Sequence, residues 1–184
     1  MKIKPSAKPG EVVVEVGDRD EPLLAAGAGA LPFQIGKILV PIDFSECSKK
    51  ALQYALPFAR QCHASIWLLN VVRLVYPTGE LGTMAPPLSE AEATESSRAA
   101  LDQLVRSAIG EKVPTAVLVR VGLPAEEIIL AARELGMDLI IISTHGHTGL
   151  KHVLLGSTAE QVVRRAPCPV LTVREHEHDF VAPP

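Results

Sequence analysis

The sequence predicts an α/β protein built on a five-stranded parallel sheet, and three observations carry that prediction. Apolar runs such as Leu139-Ile140-Ile141-Ile142 lack the alternation of a strand with one wet face, so they read as strands buried on both sides. From Lys37 onward, runs of this kind alternate with segments of helical periodicity. The helical segments have ordinary crossover length, which makes the connections right-handed and the sheet parallel, with helices on both faces.

Each element has its own signal. Lys37 to Ile42 is the first strand, and it should end at Pro41, which has no N–H for the ladder. Asp43 or Ser45 can cap the helix that follows, roughly 46–62, with Ala51, Ala55, Leu56 and Ala59 at helical spacing. Pro57 lies inside it and should kink it or cost about 3 kcal/mol against alanine. Ser65 to Val72 is the second strand, followed over 73–88 by a long irregular loop rich in Pro and Gly. A helix over about 89–109 aligns Ser97, Leu101, Leu104, Val105 and Ala108 on one stripe. Thr115 to Val121 is the third strand. Pro124 suits the first position of the next helix, with Glu126 and Glu127 in its first turn and Gly136 beyond its end. Residues 138–143 make the fourth strand, 157–166 the last helix, stopped by Pro167, and Pro169 to Val173 the fifth strand.

The flanks differ from this pattern. Residues 1–35 read as an extension or linker with at most one edge strand, at Glu11 to Val16, and an Ala/Gly stretch from Ala25 to Ala30. Residues 36–174 form the domain, and 175–184 a polar tail. The chain has 184 residues, 47% of them apolar, enough for one sizeable core. A net charge of −3 gives no basic footprint for nucleic acid or an acidic membrane. No apolar run reaches the roughly 18 residues of a spanning helix, and Met1-Lys2-Ile3-Lys4-Pro5 lacks the apolar core of a signal peptide. Three widely spaced cysteines, with no CxxC pair, suit a reducing compartment and buried thiols, so a cytoplasmic location is expected.

The stretch that bears chemistry begins where the fourth strand ends. Ser143-Thr144-His145-Gly146 is followed, after nine further residues, by Gly156-Ser157-Thr158-Ala159-Glu160. Strand, glycine-containing loop and helix start together let main-chain N–H groups and a helix dipole hold a phosphate. It is neither a Walker sequence nor GxGxxG. Ser157 with Glu160 also forms a capping box on paper, and an ordinary helix start explains both without a ligand. Position favours the ligand, because open parallel sheets bind beyond the carboxyl ends of their strands. The switch point beside the first strand brings Pro41-Ile42-Asp43 and the loop after Ile142 to one crevice. His145, His147 and His152 fit no zinc pattern and read as flanking groups that help attract an anion.

Lys37 to Asp43, the run from Ser143 to Ser157, and Ala166-Pro167-Cys168-Pro169-Val170-Leu171 together resemble the universal stress protein family, over about residues 36–174. The resemblance implies a Rossmann-like fold (adenine nucleotide alpha hydrolase-like) with strand order 3-2-1-4-5 and a homodimer. Its ATP-binding branch carries G-x2-G-x9-G-(S/T), matched here by Gly146, Gly156 and Ser157, with Ser143 in place of the first glycine. The resemblance further implies that Pro41, Ile42 and Asp43 border adenine and ribose and that Val71 contacts adenine through its backbone. Ile142, Ser143 and His145 would flank the nucleotide, and Gly146, Gly156, Ser157 and Thr158 would surround the phosphates.

No lysine occupies a phosphate-facing position, so Mg²⁺ is expected to accompany ATP through phosphate oxygens and water. With Asp43 the only carboxylate near the site and at its sugar end, and no arginine finger or base evident, rapid hydrolysis is not expected. The reading is thus of an ATP-binding stress-response regulator; its alternative is a nucleotide-free dimeric interaction protein of the same fold. The fifth strand lies at a sheet edge, where a twofold contact would pair Val170, Leu171 and Val173 with a second copy.

Overall fold

A computed structural model of the chain describes residues 2–5, 12–15, 34–73, 89–110, 113–145 and 155–174. Contacts divide the chain into two compact units, Met1–Gln34 and Ile35–Pro184. In the first, strands β1 (Lys2–Pro5) and β2 (Val12–Glu15) pair antiparallel, with Lys2 opposite Glu15 and Pro5 opposite Val12. The sequence reading allowed one edge strand at most here. The valine run found its partner within the same unit, in a segment too short and too lysine-rich to announce itself as a strand. The Ala25–Ala30 stretch and the tail lie outside the described residues.

The second unit is the sheet domain. Its elements are β3 (Lys37–Pro41), α1 (Glu46–Cys62), β4 (Ser65–Val72), α2 (Glu90–Leu104), β5 (Thr115–Val121), α3 (Pro124–Glu134), β6 (Leu139–Ser143), α4 (Ser157–Arg165) and β7 (Val170–Val173). All five strands pair parallel, in the order β5-β4-β3-β6-β7, which is 3-2-1-4-5 counted within the domain. The central strand β3 stops at Pro41, and Ile42 N–H then donates to Leu69 O at 2.8 Å. Helix α1 runs unbroken through Pro57.

Alternate residues of each buried strand serve opposite faces. Ile38, Val40, Ile66, Leu68 and Ile141 meet Ala51, Leu52, Ala55 and Leu101 of α1 and α2. Leu39, Leu69, Ile140 and Ile142 meet Ile128, Ile129, Ala132, Ala159 and Val162 of α3 and α4. Both faces being covered, the strand sequences carry no polar alternation, which is why they read as unbroken apolar runs.

One helical stripe slips. After Leu104 the chain makes a π-helical turn over Val105–Ile109, which inserts a residue into the repeat. Ile109 is buried in consequence and Ala108 is exposed, the reverse of the stripe expected from a continuous α-helix. The three cysteines are unpaired. On the α3/α4 face, Arg165 Nη2 donates to Glu126 Oε2 at 2.9 Å, joining the end of α4 to the start of α3. That hydrogen bond holds the Glu126 carboxyl below its ordinary range, so the small, exposed contribution of the pair is present near neutral pH and lost on acidification.

Candidate functional site

A cavity of about 300 Å³ opens at the carboxyl ends of β3, β4 and β6, where the chain switches from one side of β3 to the other. Each wall follows from local sequence. The first is the end of β3. Pro41 and the 2%-exposed Ile42 line it, followed by Asp43. Phe44 then takes a left-handed conformation, φ 66°, which turns the chain into α1. Ser45 caps that helix, its hydroxyl accepting from Ser48 N–H at 3.1 Å. Asp43 Oδ1 accepts from Ser45 N–H at 3.0 Å and from Ser45 Oγ at 2.5 Å. Of the two expected caps, Ser45 is the one used, and Asp43 braces it while standing in the cavity wall.

The second wall is the end of β4, with Leu69, Asn70, Val71 and Arg73. The third comes from Ile142, Ser143, Thr144 and His145. Thr144, 2% exposed, is tied on three sides. Its N–H donates to Val173 O at 2.8 Å, its carbonyl accepts from Gly156 N–H at 2.7 Å, and its Oγ1 lies 2.9 Å from His145 Nδ1.

Helix α4 supplies the fourth wall through Gly156, Ser157, Thr158 and Ala159, and the start of α3 adds Pro124 and Ile128. Gly156 has φ −66° and ψ 153°, a conformation open to any residue, so its backbone does not require glycine. The close approach does: a Cβ here would lie 2.8 Å from Thr144 O.

The capping box expected from Ser157 and Glu160 does not form. Gly156 is the N-cap, its carbonyl accepting from Glu160 N–H at 2.9 Å. The bond from Gly156 N–H to Thr144 starts the helix one residue early, leaving Glu160 a position too far along to reach back. Glu160 instead pairs with Arg164 at 3.0 Å. Among the described residues neither α4 nor α3 has a side-chain cap, and both helices start in the wall of this cavity.

Pro41, Ile42, Asp43, Val71, Ile142, Ser143, His145, Gly156, Ser157 and Thr158 therefore share one recess. Gly146 lies outside the described residues, as do His147, His152 and the segment 74–88. Sequence reasoning missed Asn70, Arg73 and the anchoring role of Thr144. Asn70 carried a signal, an amide within an otherwise apolar strand. Arg73 carried less, being the first residue beyond a strand, and it brings a guanidinium to a cavity for which no lysine or arginine was expected.

A parallel sheet of this order with its cavity at the switch point defines a Rossmann-like α/β protein. The universal stress protein family model matches residues 34–174, and the chain belongs to that family. Universal stress protein MJ0531 of Methanocaldococcus jannaschii is 35% identical over 141 residues, 76% of this chain and 82% of the relative. The solved structure of protein MJ0577 superimposes with a TM-score of 0.64 at 28% identity, covering 79% of this chain and 99% of that one. A universal stress protein in complex with cAMP superimposes with a TM-score of 0.57 at 18% identity, covering 78% of this chain and 99% of that one. At that identity the likeness establishes the fold.

The contact between Gly156 and Thr144 makes a direct prediction. Replacing Gly156 by valine should destabilise the domain by about 1–3 kcal/mol, because backbone on both sides must move apart. Urea unfolding measures this, and an unchanged midpoint would show that the approach is not tight.

Proposed function

We propose that this chain binds an adenine nucleotide, ATP accompanied by Mg²⁺, in the switch-point cavity, and acts in the cytoplasm as a stress-response regulator. The N-terminus of α4, without a side-chain cap among the described residues and lining the same recess as Asp43, is the observation that carries this reading. Main-chain N–H groups of Ser157 and Thr158, with their hydroxyls, receive the phosphates. Across the recess Asp43 accepts from a sugar hydroxyl, and Pro41, Ile42 and Val71 flank the base. The cavity volume lies at the small end of the range for ligand sites, about 300–1,000 Å³.

Mg²⁺ fits this donor set through the phosphates. Asp43 is the carboxylate among the described lining residues, and it already accepts twice from Ser45. The cation therefore takes phosphate oxygens and water, and supplies charge neutralisation. Arg73 adds positive charge at the mouth. With the carboxylate among the described lining residues at the sugar end, retention of ATP with at most slow turnover is the expected behaviour.

A second reading, a nucleotide-free dimeric interaction protein, draws on two observations: Ser143 stands where the ATP-binding pattern has glycine, and β7 is an edge strand. The edge favours self-association under either reading. Val173 cannot contribute to it as expected from sequence, being 1% exposed and packed in the core on the α1 face. The half-buried Val170 and Leu171 remain for a twofold strand pairing.

Titration calorimetry with MgATP should give measurable heat for the natural chain and at least tenfold weaker binding for Gly156→Val; absence of heat, together with no thermal shift, refutes the nucleotide reading. Sedimentation equilibrium at micromolar concentrations should return the mass of a dimer. A monomer throughout that range refutes the association.

A further inference from the structure

Asn70 is the polar residue buried within β4, 9% exposed, and it stands in the cavity wall. Both ends of its amide are engaged. Nδ2 donates to the Ile42 carbonyl at 2.7 Å, and Oδ1 accepts from Ser97 Oγ at 2.6 Å. Chemistry fixes the orientation: a carbonyl oxygen only accepts, so the amide nitrogen must face Ile42, and Ser97 must then donate to the other end. Ser97 belongs to α2 and is itself 8% exposed. A closed bridge thus runs from α2, through β4, to the peptide just before Asp43.

That peptide is where aim is decided. The β3 ladder has ended at Pro41, and three residues later Phe44 is left-handed. Between them, Ile42 is held to β4 by its N–H on Leu69 O at 2.8 Å and by its carbonyl on Asn70. The Ile42 carbonyl and the Asp43 N–H share one rigid peptide plane. Rotating that plane swings the Asp43 Cα and redirects its carboxylate. Asn70 holds this peptide from β4, while the Ser45 bonds hold the carboxylate from α1.

We propose that Asn70, braced by Ser97, is a positioning residue for the nucleotide site: it sets the aim of the Asp43 carboxylate at the sugar. The inference rests on the nucleotide reading above and goes beyond it by naming a bridge that links sugar recognition to the seating of α2. Loss of the bridge reduces the contribution of the sugar hydroxyls while leaving the phosphate wall, on the other side of the cavity, in place.

The test is calorimetry on the full chain with the Mg²⁺ complexes of ATP and of 2′,3′-dideoxy-ATP, which lacks both hydroxyls. The natural protein should prefer ATP by about tenfold or more, the value of a hydrogen bond to a charged group. Asp43→Asn should reduce that preference. Asn70→Leu, and more weakly Ser97→Ala, should move it toward one, ATP losing several-fold more affinity than dideoxy-ATP. Ser97→Ala carries the test if Asn70→Leu does not fold. Equal loss for both nucleotides, or an unaltered preference, overturns the positioning role and leaves nucleotide binding standing. A natural protein that binds both equally overturns the sugar contact and this proposal with it. One that binds neither overturns the nucleotide reading itself.

Discussion

The site depends on one short contact, the hydrogen bond from Gly156 N–H to the Thr144 carbonyl at 2.7 Å. Thr144 continues β6 and is fixed by its own N–H on Val173. Gly156 begins α4. Their bond brings a helix N-terminus down onto the end of the sheet, and the space for it exists only because residue 156 has no Cβ. The same bond sets the helix start, which removes Ser157 and Glu160 from capping. The first turn of α4 thereby lines the recess, the place where a helix dipole can act on an anion.

The facing wall is built differently. There the chain leaves the central strand at Pro41 and must turn into α1, and it does so through a left-handed Phe44 held by the Asp43–Ser45 bonds. Side-chain hydrogen bonds replace the ladder as the source of rigidity. Asn70 and Ser97 extend that support into α2. Among the described residues no buried side-chain polar atom lacks a partner, so this polar wall is satisfied internally. One wall is therefore main-chain and dipolar, the other side-chain and carboxylate. The proposed nucleotide would use that division, its phosphates at one wall and its sugar at the other.

Most of the fold was legible because the strands are buried on both faces and the helices carry their own punctuation. Pro41 ends its strand, Pro124 starts its helix, and Gly136 takes a left-handed turn after α3, as their chemistry requires. The misses have physical reasons. The π turn at Val105–Ile109 leaves no mark in hydrophobic spacing until it has shifted it. The false capping box at Ser157 and Glu160 satisfied a local rule that a tertiary bond, Gly156 to Thr144, overrode. β1 escaped notice because four residues alternating with lysine and proline give no strand signal without their partner. Within the site, residues next to motif glycines were readable from position. Asn70 and Arg73 enter the cavity only through the parallel register of β3 and β4, which one sequence does not display.

The central claim is that main-chain amides at the start of α4 hold phosphate while Asp43 holds the sugar. A crystal structure grown with MgATP tests it most directly. Phosphate oxygens should lie within about 3 Å of the Ser157 and Thr158 nitrogens, with the sugar against Asp43. A recess filled by the protein's own side chains, or a nucleotide bound elsewhere, would contradict it.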